Sequence, residues 1–292
     1  MMRRFTVWIA AIAFVLAGAA ATAFAQQATT KLGAQGGSAL EVTADNGIEW
    51  QKDKKVYIAR GNAQVKRGNF SVRGATLTAH YRDNAEGKSE IFRVEAAGGV
   101  VLKNGDDVAR GDRAVYDVDR KVLTMTGGDL SYVSGTTNIT ARDSLEYWEV
   151  QRTAVARGAA VATREDDVVR ADMLVGFFEE RPRADNPKRT RRELAQIDAI
   201  GNVRITNGEN VATAARASYD TASKLAQLTG SVEVTRGGDR LNGERAEVNM
   251  KTGIYRMLPG EPGGRVSGTI TPDGPPAISP APQPAAPSGG GR

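Results

Sequence analysis

The sequence contains no cysteine and a single histidine, His80. Without cysteine the chain forms no disulfide, carries out no thiol catalysis and offers no thiolate to a metal. A Ser-His-Asp triad or a histidine-ligated metal would have to use His80, which lies in an alternating strand pattern between Ala79 and Tyr81. We therefore predict that the protein is not an enzyme and that it needs neither a cofactor nor a metal.

Neither basic nor acidic residues strongly predominate, and aromatic residues are scarce. The 39 basic and 34 acidic residues leave a net charge of +5, which is too small to indicate a nucleic-acid partner. Aromatic residues make up 6% of the chain, whereas 33 of its 292 residues are glycine. This composition favours many strands joined by turns over a bundle of helices.

The N-terminus has the organisation of an export signal. Arg3 and Arg4 precede an apolar run from Phe5 to about Ala21, and the sequence Ala23-Phe24-Ala25 follows. A basic segment, an apolar segment and an Ala-x-Ala site are typical of a secretory signal peptide. We predict a signal peptide over residues 1–25, cleaved after Ala25, and a periplasmic protein. A retained membrane anchor is the alternative, because the run is nearly long enough to span a bilayer.

One sequence unit recurs about six and a half times between Leu40 and Leu258. Each unit has an alternating run, a glycine beside a small residue, a second alternating run, and a (Gly/Ala)-Asp-x-Ala-x-Tyr-Asp segment or a variant of it. A period near 30 residues indicates one small unit stacked repeatedly. A glycine in mid-strand usually marks a bulge or bend. The recurrent glycines are Gly61, Gly98, Gly127, Gly158, Gly201 and Gly230.

The strands of this repeat are predicted to be antiparallel. Short segments such as Asn104-Gly105-Asp106 and Asn207-Gly208 separate them, and Gly and Asn supply the positive φ of tight hairpins. The acidic residues that recur in the second half of the unit, among them Asp112, Asp143 and Asp172, are expected at turns or strand ends, bonded to nearby backbone.

The chain is expected to divide into four parts. A flexible leader over 26–37 follows the signal peptide, and the repeat domain spans 38–260. A basic insertion at 181–192 interrupts the repeat and is predicted to be a loop. The Pro/Gly/Ala-rich tail over 261–292 is predicted to be disordered.

The ordered repeats resemble the LptA/OstA-type periplasmic lipopolysaccharide-transport proteins, the organic solvent tolerance A-like family. The residues that carry the resemblance are Leu40–Asp45, Arg60–Gly68, Gly111–Tyr116 and Leu123–Gly127. It implies an all-β fold, an open, V-shaped β-jelly-roll of repeated antiparallel strands whose groove shields acyl chains. It also implies a carrier that bridges inner- and outer-membrane machinery for outer-membrane assembly.

The implied partners are lipopolysaccharide, an inner-membrane transporter component of the LptC type and an outer-membrane translocon of the LptD type, joined by strand-edge pairing. Head-to-tail homo-oligomers are a further implication. Two alternatives remain open: an inner-membrane-anchored LptC-type partner of the same pathway, and a structural or adhesive β-repeat protein without lipid.

The candidate lipid-binding residues come from two arguments. The resemblance implies a lining that includes Leu40, Val42, Val101, Tyr116 and Val118. Alternation along the strands adds Ile58, Val65, Val72, Leu77, Val108, Leu123 and Met125. In the basic insertion, Lys188, Arg189, Arg191 and Arg192 are candidates for contact with an anionic headgroup, the other interpretation being a solvated loop.

Overall fold

The computed structural model describes residues 41–85, 87–182, 190–208, 210–249, 251–252, 254–260 and 264–269. The predicted signal peptide, the leader, Leu40 and most of the predicted tail lie outside these ranges. Within them every regular element is a β-strand, so the predicted all-β class is confirmed. No helix in the described part of the chain is long and apolar enough to span a bilayer.

Eighteen strands follow one another along the described part of the chain. They are β1 (Glu41–Thr43), β2 (Ile48–Gln51), β3 (Val56–Arg67), β4 (Phe70–Asp83), β5 (Ser89–Asn104), β6 (Asp107–Asp117), β7 (Val122–Thr126), β8 (Ser131–Ser134), β9 (Thr137–Thr140), β10 (Ser144–Trp148), β11 (Thr153–Arg164), β12 (Asp167–Pro182), β13 (Thr190–Asn207), β14 (Asn210–Asp220), β15 (Leu225–Arg236), β16 (Asp239–Asn249), β17 (Ile254–Leu258) and β18 (Ser267–Thr269).

The long strands β3, β5, β11, β13 and β15 are each bent where a recurrent glycine stands, and Gly127 lies between β7 and β8. All six recurrent glycines have positive φ, between 77° and 111°. In β3, β5, β11, β13 and β15 the next residue also has positive φ, and the antiparallel register shifts there. Two consecutive left-handed residues insert a bulge that turns the strand. The predicted bend is thus confirmed.

Four pairs of short strands are the two halves of bent strands. For example, β7 and β8 both pair with β6, β7 along one half of it and β8 along the other. The pairs β1/β2, β9/β10 and β17/β18 are related to β3, β11 and β16 in the same way. The described chain is therefore an antiparallel meander of fourteen bent strands.

The recurrent acidic residues lie at the bend, not at strand ends as the sequence suggested. A side chain built on Gly127, Gly158 or Gly201 would collide with Asp112, Asp143 or Asp172 of the preceding strand. Asp112 accepts a hydrogen bond from the backbone N–H of Gly128 at 2.7 Å, and Asp172 accepts one from the Asn202 side chain at 2.9 Å. The carboxylates bind the bulge that bends the neighbouring strand.

The two halves of each bent strand face one another across an apolar interior. Two clusters of buried side chains fill it: one runs from Ala59 to Leu130 and the other from Ile139 to Val248. Tyr132 and Leu145 pack against both clusters. The outer face carries charged residues, such as Glu95, whose carboxylate lies 2.7 Å from Arg93 and 2.5 Å from Arg113.

The basic insertion is in part a lengthened hairpin and not a loop over its whole span. Arg181 and Pro182 end β12, while Thr190, Arg191 and Arg192 begin β13; residues 183–189 lie outside the described ranges. Of the described strands β13 is the longest, with 18 residues, and β12 and β5 follow with 16 residues each. The extension carries Phe178, Leu194 and Arg192 beyond the neighbouring strands.

Candidate functional site

A row of inward tyrosines crosses one half of the bent sheet. Tyr116 on β6, Tyr147 on β10 and Tyr219 on β14 occupy the same position of the repeat. Each residue of this row pairs with the next one on the adjacent strand, in the order Tyr116, Leu123, Tyr147, Ala154, Gly176, Ile197 and Tyr219. On β12 the position of the tyrosine is taken by Gly176.

A cavity of about 120 Å³ opens at this interruption. Its lining comes from both halves of the bent sheet, which shows that the two inner faces converge here. One half contributes Leu123, Met125, Leu145, Glu146, Tyr147, Ala154, Val155, Ala156, Leu174, Gly176 and Phe178, and the other contributes Ala109, Tyr132, Ser134, Thr137 and Ile139. Apart from a few hydroxyl groups and Glu146, whose carboxylate lies 2.8 Å from Arg157, the lining is aliphatic and aromatic, so it suits an apolar chain.

A cation lies next to the cavity, in contact with the lining residue Tyr147. The Arg192 guanidinium donates a hydrogen bond to the Tyr147 hydroxyl at 2.7 Å. Burial raises the pKa of Tyr147, and the nearby Arg192 charge opposes that rise. Tyr147 therefore stays neutral and positions the guanidinium. The T-shaped packing of Tyr147 on Phe178, with ring centroids 6.5 Å apart, fixes the phenol ring.

The opposite side of the cavity is polar. Asp107 is 1% exposed, and one of its carboxylate oxygens has no hydrogen-bond partner among the described residues. Burial raises the pKa of Asp107, although hydrogen bonds to Ser134 and Tyr132 act in the other direction. Ser134 and Tyr132 also line the cavity, so this side presents hydroxyl groups, with the Asp107 carboxyl group behind them.

Most of the predicted lining residues face inward. Leu77 and Met125 are buried in the first apolar cluster, against which Val65, Val72 and Leu123 pack. Val42 pairs with Val65 and is 37% exposed, and Tyr116 pairs with Val94 and Leu123. Val118 follows β6, half-buried, with its N–H bonded to the Phe92 carbonyl at 2.9 Å. Of these residues, the cavity itself brings together Leu123 and Met125.

Three predicted lining residues lie on the outer face, so their assignment was wrong. Ile58 pairs with Thr78, while its neighbour Ala59 is the buried residue. Val101 pairs with Arg73 and Arg110, and Val108 pairs with Lys103; the inward neighbours are Leu102 and Ala109. Ile58 and Val108 were predicted from alternation, which is ambiguous on these strands because apolar side chains occur on both faces, whereas Val101 was predicted from the family resemblance.

The four residues predicted to contact a headgroup are not brought together by the described structure. Lys188 and Arg189 lie outside the described residues, as does Leu40. Arg191 pairs with Arg181 in the extended hairpin, and Arg192 reaches Tyr147 at the cavity. Sequence reasoning missed Gly176, Leu145, Leu174, Tyr147 and Phe178. The absence of the repeat's tyrosine at Gly176 was the signal that could have revealed them. In the described part of the chain no cluster of His, Asp and Glu could hold a metal ion.

Comparison with known proteins identifies the repeat. No curated protein matches the sequence at a significant level. A crystal structure of LptH, the LptA-homologous periplasmic component of the lipopolysaccharide transport device from Pseudomonas aeruginosa, is 13% identical, and the match covers 80% of this chain and 96% of that one. The TM-score of 0.19 is too low to establish a common overall shape.

The family comparison is decisive. The model of the LptA/(LptD N-terminal domain) LPS transport protein family matches residues 41–143 and, a second time, residues 138–254. The two matches correspond to the two apolar clusters of the fold, which meet at Tyr132 and Leu145. Together they span most of the chain, and the protein belongs to the LptA/(LptD N-terminal domain) family of LPS transport proteins.

Proposed function

We propose that this protein is a periplasmic carrier that shields the acyl chains of lipopolysaccharide between the two halves of its bent sheet. The observation that carries the proposal is the apolar inner surface, which runs through both clusters and opens as a cavity where they meet. An acyl chain returned to water loses roughly 0.8 kcal/mol for each CH₂ group. A carrier therefore needs a continuous dry path, and we assign that path to this apolar inner surface.

The charge distribution supports the same function. The outer face carries ion pairs, including Arg157 with Glu146 at 2.8 Å and Arg82 with Asp119 at 2.8 Å. Such a face stays hydrated while the interior holds apolar groups. Arg192 at the edge of the cavity would contact a phosphate of the lipid, because a guanidinium binds phosphate through several parallel N–H donors.

The sheet edges would join the carrier to its partners. The registers give β1 and β2 one partner strand, β3, and give β17 and β18 one partner strand, β16. Ile48 and Ile254 on these edges are 55% and 49% exposed. A free edge offers unpaired N–H and C=O groups to another strand. We assign these edges to an LptC-type inner-membrane component, an LptD-type translocon or a second copy of the chain.

The anchored LptC-type partner differs from the carrier in one measurable feature. The carrier is exported and loses residues 1–25, whereas the anchored form keeps its N-terminal apolar run. N-terminal sequencing of the protein isolated from cells decides between them. A chain that begins at Gln26 supports the carrier, and a chain that begins at Met1 or Met2 supports the anchored form.

Native mass spectrometry of protein purified from a lipopolysaccharide-producing periplasm tests the function. We expect a second species heavier by the mass of one lipopolysaccharide or lipid A molecule. Leu123→Gln, which places an amide on the inner surface, should reduce that species. Thr124→Gln, on the outer face of the same strand, should leave it unchanged. Protein that carries no lipid under any gentle condition contradicts the proposal.

A further inference from the structure

Gly176 lines the cavity at a position where the backbone would accept a side chain. It lies within β12 and is not among the glycines with positive φ, so its extended backbone imposes no need for glycine. The same repeat position holds tyrosine on β6, β10 and β14. Its neighbour in the register on β11 is the small Ala154. Space, and not backbone conformation, is what glycine provides here.

We infer that the Gly176 cavity is the binding site for the end of one acyl chain of an anionic amphipath, and that Arg192 orients this amphipath. The inference rests on the proposed function and assigns a position and an orientation to the lipid. A dry apolar cavity of about 150 Å³ binds a molecule the size of benzene, so this cavity of about 120 Å³ holds a few methylene groups. The remainder of the chain lies along the groove.

The charges around the cavity determine which way the amphipath points. Among the described residues Arg192 contacts a neutral partner, the Tyr147 hydroxyl, so several of its five N–H donors can bind an anion. Of the other charges nearby, Arg152 lies 3.7 Å from Glu180, whereas Glu149 accepts a hydrogen bond from the neutral Tyr116 hydroxyl at 3.2 Å and keeps its negative charge, which would repel an anion. On the far side the buried Asp107 would repel a phosphate. The anionic group therefore lies beside Arg192.

The position of this binding site suggests its purpose. Its lining comes from both family matches: Met125 and Tyr132 belong to the first alone, and Leu174 and Gly176 belong to the second alone. Here the two apolar clusters meet. A chain bound at this point is held where the groove passes from one repeat domain to the next.

Isothermal titration of the full exported chain with dodecyl phosphate and dodecyl maltoside, two probes with the same chain and different heads, tests the inference. Gly176→Tyr restores the repeat's tyrosine and fills the cavity. It should weaken the affinity for both probes by roughly 10- to 100-fold, which is the equivalent of two or three methylene groups returned to water. Met173→Tyr, on the outer face of the same strand, is the matched control and should bind as the wild type does.

Arg192→Gln separates orientation from burial. It should weaken dodecyl phosphate by about three- to tenfold and leave dodecyl maltoside unchanged. The acyl-chain site is contradicted if the Gly176→Tyr protein keeps its near-ultraviolet circular dichroism and still binds both probes as the wild type does. An equal effect of Arg192→Gln on both probes overturns the orientation. If either of these results is obtained while the wild-type protein retains lipopolysaccharide, the inference about the cavity fails but the proposed carrier function does not. Wild-type protein that binds neither probe and no lipopolysaccharide contradicts both the inference and the carrier function.

Discussion

Arg192 donates a hydrogen bond to the hydroxyl of Tyr147 at 2.7 Å, which places a cation at the edge of a mainly apolar cavity. The two residues come from strands that are not neighbours in the sheet: Tyr147 lies on β10 and Arg192 on β13. The contact exists because β12 and β13 extend past the strands beside them. A lengthened hairpin thus adds a charged group to a repeat whose interior is apolar.

Removal of the Tyr147 hydroxyl should destabilise the fold modestly. Tyr147→Phe leaves the ring on Phe178 in place but removes the acceptor of the Arg192 hydrogen bond. We expect the free energy of unfolding to fall by about 1 kcal/mol, measured by urea denaturation. Tyr57→Phe, in a ring that is 37% exposed, should change it by much less. Equal losses would show that the Arg192 contact contributes nothing.

The bends should respond sharply to a methyl group. Gly230 has a φ of +81°, and a Cβ built on it would lie 2.6 Å from the Cβ of Ala215. Gly230→Ala combines backbone strain with a steric clash, so we expect a loss of about 3 kcal/mol or more in unfolding free energy. Gly208, in a hairpin turn, has a φ of +54° and nothing within 4 Å of its Cβ position.

Gly208→Ala is therefore the matched control for the bend. It carries the conformational strain alone and should cost about 1 kcal/mol. The difference between the two variants measures how closely the bent strands pack at the corner. Thermal unfolding followed by circular dichroism would show it as a clearly larger fall in Tm for Gly230→Ala. Indistinguishable melting temperatures would mean that the corner relaxes freely.

Glu146 should make stability dependent on acid. Burial alone would raise the pKa of Glu146, but hydrogen bonds from Arg157, Trp148 and Ser144 outweigh it and hold the pKa below the usual 4.5. The lengths of these bonds are 2.8, 2.9 and 2.8 Å, and the side chain is 12% exposed. Because the folded pKa is depressed, the stabilisation is present above about pH 4.5 and is lost as pH falls through the folded pKa.

Glu146→Gln should therefore cost about 2 kcal/mol at pH 7 and progressively less below pH 4.5. Urea denaturation at a series of pH values gives the comparison. Glu49→Gln serves as the control, since Glu49 is 54% exposed in its pair with Arg60 and should contribute little at any pH. A cost for Glu146→Gln that does not change between pH 7 and pH 3.5 would show that the carboxylate charge is not responsible.

The bends were predictable from the sequence because their cause is local. Gly61 and Gly201 occur in mid-strand at equivalent places, and a positive φ at a bulge is a property of the residue itself. The faces of the strands were less predictable. On β6 the inward residues are Ala114 and Tyr116 on one side of the bend but Ala109 on the other. Alternation therefore changes phase at the corner, and a prediction from alternation alone wrongly placed Val108 inside.

The cavity depended on contacts that no single segment of the sequence shows. Gly176 was visible as a repeat that lacks its tyrosine, but its meaning required the register that places it beside Ala154. Arg192 was assigned to a loop because prolines and charges surround it, whereas pairing across the hairpin with Glu180 keeps it in β13. Long-range pairing overrides local composition at such positions.

Photo-crosslinking in cells tests the central claim, that lipid is carried between the two inner faces, most directly. A photoreactive amino acid at Tyr116 points to the inner face, and one at Val115 points to the outer face, where Val115 pairs with Glu95 and Thr124. We predict that the protein with the probe at Tyr116 forms a covalent adduct with lipopolysaccharide and that the protein with the probe at Val115 does not. Equal labelling at the two adjacent positions, or none at Tyr116, would contradict the groove.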